Sequence, residues 1–214
     1  APPAAPPAAT PATAPAPPPP PATTAPVPAP APAAPADVRP YQPPPTARIP
    51  AADWPSPARA RQVLAQRRAT ATGRVAEDLA WVQRLDEAYG ADPRAGRRAT
   101  VERALQANAW WFATRGAPLQ RVILRDPDGI ILTYRGGHGF QVNPVATAGR
   151  WRELNTDLAT PVLADALLPM GVTRPGGGLA WEYYDVPDEP AVVRAGVSGM
   201  AQARLADLLA NAYS

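Results

Sequence analysis

The sequence predicts a mainly α fold, antiparallel helices with one β-hairpin and a short extra strand, set behind a proline-rich linker. Three observations predict it. Apolar residues recur at helical steps between residues 57 and 115. The period then changes to β-branched runs around Asp126-Pro127-Asp128-Gly129. Residues 1–56 hold most of the chain's 32 prolines. Proline has a fixed φ and no amide hydrogen to donate, so that stretch favours extended polyproline II and buries too little apolar surface to offset ordering. It is expected to be a disordered spacer, with a helical domain over 57–214.

The elements follow in order. Ala58 to Ala71 carries good helix formers but only Val63 and Leu64 as an apolar face. Val75, Leu79, Val82, Leu85 and Tyr89 form one stripe of an amphipathic helix that Gly90 closes. Asp92-Pro93 reads as a cap and first-turn proline for a third helix, to about Arg115, whose stripe is Val101, Leu105, Asn108 and Phe112 with Trp110 and Trp111 beside it. Arg121 to Leu124 and Ile130 to Tyr134 then read as the two strands of a hairpin, since proline sets the turn between them and glycine accepts positive φ. Asn143-Pro144 and Thr160-Pro161 start two further helices, expected to reach Leu154 and Leu168. Gly171 to Gly178 is a glycine-rich loop without the context of a phosphate cradle, and Leu179 to Val186 reads as a short strand. Ser198 caps a last amphipathic helix carrying Leu205, Leu208, Leu209 and Ala212.

Composition narrows the function classes. The chain has no cysteine, which excludes disulfides, thiolate metal sites and a cysteine nucleophile. Its single histidine, His138, has no adjacent carboxylates at ligand spacing, so neither a metal nor another cofactor is called for. Every basic residue is arginine, a bias that suggests a GC-rich bacterial genome, and the formal net charge is +3. No basic stripe or motif for nucleic acid stands out, and no apolar run is long enough to span a bilayer. An alanine at position 1 before a Pro/Thr-rich spacer suits an exported protein whose signal peptide has been removed, secreted or held at the cell envelope.

Groups able to carry chemistry concentrate between Tyr134 and Gln202. His138 lies between two glycines, which permit close approach of a ligand, although a turn residue hydrogen-bonded to backbone accounts for it as well. In Trp181-Glu182-Tyr183-Tyr184, a strand would put Glu182 and Tyr184 on one face and Tyr183 on the other. Trp181 suits a sugar ring, while Arg150, Arg152 and Arg194 could clamp carboxylates in a fork, although solvated surface arginines account for each as well. Ser198 stands in an incomplete nucleophile-elbow pattern, and a helix cap is the better account of it.

Three blocks, Gly137-His138-Gly139-Phe140-Gln141-Val142-Asn143-Pro144-Val145-Ala146, Trp181-Glu182-Tyr183-Tyr184 and Val197-Ser198-Gly199-Met200-Ala201-Gln202, together resemble the C-terminal domain of the D-glucuronyl C5-epimerases over residues 120–214. The resemblance implies an isomerase that inverts C5 of glucuronic acid in an anionic polysaccharide, and a fold resembling the start of an (α/α) toroid. It implies tyrosines as acid and base, which makes Tyr184, Tyr183 and Glu182 the catalytic candidates. His138, Asn143, Arg150, Trp181, Arg194, Met200 and Gln202 become the substrate-binding candidates. A closed toroid needs on the order of a dozen paired helices, more than this chain supplies, so an incomplete or inactive unit is expected. Two alternatives stand beside the epimerase: a non-catalytic glycan-binding or envelope-associated helical module, and a uronate lyase that shares the first proton abstraction.

Overall fold

The computed structural model of the protein describes residues 46–119, 121–149, 160–184 and 193–214; all of them fall within the compact unit Gln42–Ser214. The first half is a three-helix layer. Helix α1, Pro57–Arg68, starts where the Ser56 hydroxyl accepts from the Arg59 amide. Helix α2, Gly73–Tyr89, buries Leu79, Val82 and Leu85 as its stripe requires, each contributing about 1.5–3 kcal/mol. Trp81 and Asp78 are buried beside them. Helix α3, Ala95–Phe112, begins two residues later than Asp92-Pro93 implied, because Asp92 spends its carboxylate on the Arg94 guanidinium and amide.

The sheet is larger than the hairpin. Its order is β1-β2-β3-β4, with β1 at Thr46–Arg48, β2 at Ile123–Arg125, β3 at Ile131–Arg135 and β4 at Gly139–Val142. Strand β1 pairs in parallel with β2, whereas β2, β3 and β4 are antiparallel. The stretch read as linker up to residue 56 therefore supplies a strand, and Ile49 just after it is wholly buried. At the β2–β3 turn the Asp126 carboxylate accepts from the amides of Asp128 and Ile130 and from Arg103 of α3, which also reaches Asp128. One sheet face, with Val122, Leu124, Leu132, Tyr134, Phe140 and Val142, shares a core with α2 and α3.

Beyond β4 come α4, Pro144–Gly149, α5, Thr160–Leu167, and α6, Gly199–Tyr213. Asn143 caps α4 through the Ala146 amide, and Ser198 caps α6 through the Ala201 amide. The expected run of α4 to Leu154 lies outside the described residues. Leu179 to Val186 is not one strand. Only β6, Leu179–Ala180, pairs with β5, Val172–Thr173, and Tyr183 then forms a single bridge with Gly196. Asp185 and Val186 lie outside the described residues. The fold is mainly α around a small mixed sheet, and no described helix is long and apolar enough to cross a membrane.

Candidate functional site

The acidic-aromatic segment occupies a buried ion-pair cluster. Glu182 is 2 % exposed. Arg97 grips it with a fork, Nε to Oε2 at 2.7 Å and an Nη to Oε1 at 2.9 Å, while Arg174 reaches Oε1 at 2.8 Å. The Tyr184 hydroxyl donates to Oε2 at 2.9 Å. Burial disfavours the Glu182 charge, yet Arg97, Tyr184 and Arg174 outweigh it and hold its pKa below the usual carboxylate value. Burial, then the Glu182 charge beside it, pushes Tyr184 well above an ordinary phenol. Tyr184 packs on Tyr89 at 5.0 Å, and the Arg97 guanidinium lies 5.0 Å over the same ring. The alternation read from sequence holds, since Glu182 and Tyr184 meet on one side. On the other side, Tyr183 accepts from the Val145 amide at 3.0 Å.

The remaining candidates divide between structural contacts and surface. Trp181 donates its indole N–H to the Leu167 carbonyl, and its backbone is clasped at both ends by the Gln202 amide at 3.0 and 2.9 Å. Asn143 caps α4 and donates to the Thr133 hydroxyl. Met200 and Arg194 are exposed, Met200 by 57 %. Arg150 lies outside the described residues. His138 sits edge-on to Trp81 with ring centroids 4.3 Å apart, and its Nδ1 lies 3.3 Å from the Gly136 carbonyl. The four residues of β4 separate His138 from Asn143, five steps or roughly 16 Å at strand rise. The three blocks therefore converge only in part. Asn143, Val145, Tyr183, Trp181 and Gln202 pack together, and the imidazole stands at the far end of β4.

What His138 belongs to is a second constellation that sequence reasoning missed. The glycine turn between β3 and β4 is pinned by Asp78 of α2, which accepts from the amides of Gly137 at 2.6 Å and Gly139 at 3.2 Å and from the Tyr134 hydroxyl at 2.9 Å. Burial raises the Asp78 pKa against these donors. Gly139 has φ +69°, and a Cβ there would come within 2.4 Å of the Asn108 side-chain oxygen, so glycine is required on both counts.

Next to this turn a groove of about 630 Å³ is lined by Arg74, Pro118, Leu119, Arg121, Tyr134 and Arg135, among others. The Arg74 guanidinium covers the Gly136 backbone, 2.7 Å from where a Cβ would sit, while pairing at 3.3 Å with Glu77. The Tyr134 amide donates to the Val122 carbonyl, extending the β2–β3 ladder beyond Ile123 and Thr133. Arg121 lies two residues before β2 and Arg135 ends β3, and both line the groove with Arg74. The signal present in the sequence was an arginine on each side of the hairpin, Arg121 before it and Arg135 after it.

No protein-family model, curated protein or solved structure matches this chain. Among the described residues no three His, Asp or Glu side chains are grouped so as to hold a metal ion.

Proposed function

We propose that this protein acts on a uronic-acid-containing polysaccharide, as a relative of the D-glucuronyl C5-epimerases, and that the anionic chain seats in the arginine groove. The observation that carries the reading is the gathering of Arg74, Arg121 and Arg135 around one groove. Three guanidiniums around one concave surface suit a row of carboxylates, because each can bind a carboxylate oxygen pair in a fork. Removing the C5 hydrogen of a uronate creates a carbanion next to a carboxylate, and neutralising that carboxylate is the main electrostatic task of such a site. On this reading α1 to α6 are the opening helices of an (α/α) toroid, and the protein is exported to where such polymers occur.

A specific observation favours a second reading, recognition without turnover. Burial, then the Asp78 hydrogen bond, pushes the Tyr134 pKa far up. That phenol is a committed donor, unsuited to accept the C5 proton. Glu182 and Tyr184 are occupied by Arg97, Arg174 and each other. Incubation with heparosan in deuterated water separates the readings. Deuterium entering C5 of intact chains marks the epimerase, unsaturated chain ends mark a lyase, and binding without exchange marks the recognition module. Arg121→Ala is expected to weaken heparosan binding about tenfold, or 1.4 kcal/mol. A protein that binds no uronate polymer in any of these assays sinks the proposal.

A further inference from the structure

A second groove lies beside the start of the connector that follows α3. Of about 520 Å³, it is lined by Trp54, Arg59, Val63, Trp110 and Arg115, with Asp53 as its one acid. Ala113, Thr114 and Arg115 of this connector border the second groove, while Ala117, Pro118, Leu119 and Arg121 border the arginine groove. A ladder of rings runs from one groove to the other beneath it. Trp110 stands 6.3 Å from Trp111, Trp111 stands 5.2 Å from Phe140, and Phe140 stands 5.4 Å from Tyr134.

The groove is built rather than incidental. Trp54 follows a tight turn in which the Asp53 amide donates to Pro50 and its own amide to Ala51. The buried Gln106 of α3 spends its side-chain amide on the Pro55 carbonyl at 2.6 Å, which locks this segment onto the helix. Arg115 lies 4.5 Å over the Trp110 ring and 5.1 Å over Trp111, fixing a cation at the rim. Trp111 donates its indole N–H to the Gly116 carbonyl. The indole N–H of neither Trp54 nor Trp110 meets an acceptor among the described residues. Both rings are half-buried. An aromatic body with an unspent polar edge is what tryptophan offers a ligand that is apolar on its face and polar at its rim.

We propose that the Trp54–Trp110 groove is a second subsite for the same anionic polysaccharide, stacking a sugar ring while Arg59 and Arg115 meet its carboxylate. The inference rests on the reading of the arginine groove as the first subsite. Charge decides the occupant. A proline-rich peptide also fits tryptophan-lined grooves, but it offers no anion to Arg59, Arg115 and the three arginines next door. Two subsites joined by one connector act as linked sites, so affinity rises steeply once a ligand is long enough to fill both.

The test is titration with heparosan oligosaccharides of graded length, followed by calorimetry. In the native chain affinity is expected to step up about tenfold at the length that bridges the grooves. Trp110→Ala removes the step and leaves the affinity of the shortest binding oligosaccharide unchanged; Arg121→Ala weakens all lengths. Trp54→Ala is the second variant, should Trp110→Ala fold poorly, and Trp110→Tyr is expected to restore part of the step. If length dependence survives both alanine variants, this inference falls while the arginine groove stands. If a proline-rich peptide binds here and competes with no oligosaccharide, the subsite belongs to another ligand and the inference also falls. Absence of binding at any length overturns both readings together.

Discussion

Glu182 is where the chemistry of a single side chain is most constrained. Its oxygens receive Arg97 twice, Arg174 once and the Tyr184 hydroxyl once, with the Glu182 side chain wholly buried and that of Arg97 11 % exposed. As a groove-lining group it would tolerate Glu182→Gln with folding nearly intact. Because Glu182 is buried, the amide would leave Arg97 with only its longer contact to Asp92 at 3.3 Å, and losing one partner of such a pair costs about 3–5 kcal/mol. Tyr184→Phe removes one hydrogen bond to a charged group and is expected to cost about 1.5–3 kcal/mol. Urea unfolding of the two variants at neutral pH checks the order. The sign with pH follows from the depressed Glu182 pKa. Its stabilisation is complete above the unfolded-state value, about 4.3, and is lost as pH falls through the lower folded value. Asp78 and Asp126, whose pKa values burial raises, act in the opposite sense on acidification. Glu182→Gln should therefore flatten the loss of stability expected of the native chain below about pH 4.3.

At the scale of the element, β4 is the piece that local sequence signals hid. It forms one edge of the sheet, and an edge must be covered. Asn108 of α3 does this as a strand would, accepting from the Phe140 amide at 2.9 Å and donating to its carbonyl at 2.8 Å. In the sequence Asn108 read as one more position in an apolar stripe. A wholly buried amide there was the sign that a backbone waited opposite. The strand itself, Gly139-Phe140-Gln141-Val142, follows a glycine turn and is too short for alternation to declare it. Strand β1 had no local signal either, since a parallel partner 77 residues away gives none: Thr46 pairs Ile123. The hairpin and the helix stripes were legible because their causes are local, in turn residues and period. The Glu182 cluster was not, because Arg97 lies 85 residues from it. Asn108→Leu should leave both backbone groups of Phe140 unsatisfied, at about 1–3 kcal/mol each. Loss of hydrogen-exchange protection at the Phe140 amide, with α1 still protected, would locate the damage at this edge.

Across the whole molecule charge is arranged locally rather than in bulk. The formal net charge is only +3 over 214 residues, too small to steer a polyanion by itself. The two grooves gather Arg59, Arg74, Arg115, Arg121 and Arg135 and so concentrate positive potential around them, and arginines elsewhere such as Arg61, Arg97 and Arg103 lie in close ion pairs with Asp86, Glu182 and Asp126. Binding through the groove arginines should depend on salt and hardly on pH. Arginine stays protonated throughout the physiological range, and uronate carboxylates stay ionised above about pH 5, so heparosan affinity is expected to be flat from pH 6 to 9. Raising ionic strength from 0.1 M to 1 M shortens the screening length from about 10 Å to about 3 Å and should cut affinity severalfold. The slope against salt should shrink in Arg121→Ala, because fewer cations then contact the polymer, and stay unchanged in Trp110→Ala, whose contribution is stacking. Salt titrations of the three proteins read this directly. An affinity that ignored salt, or a slope set by Trp110 and not by Arg121, would mean the polymer is held by something other than the groove arginines.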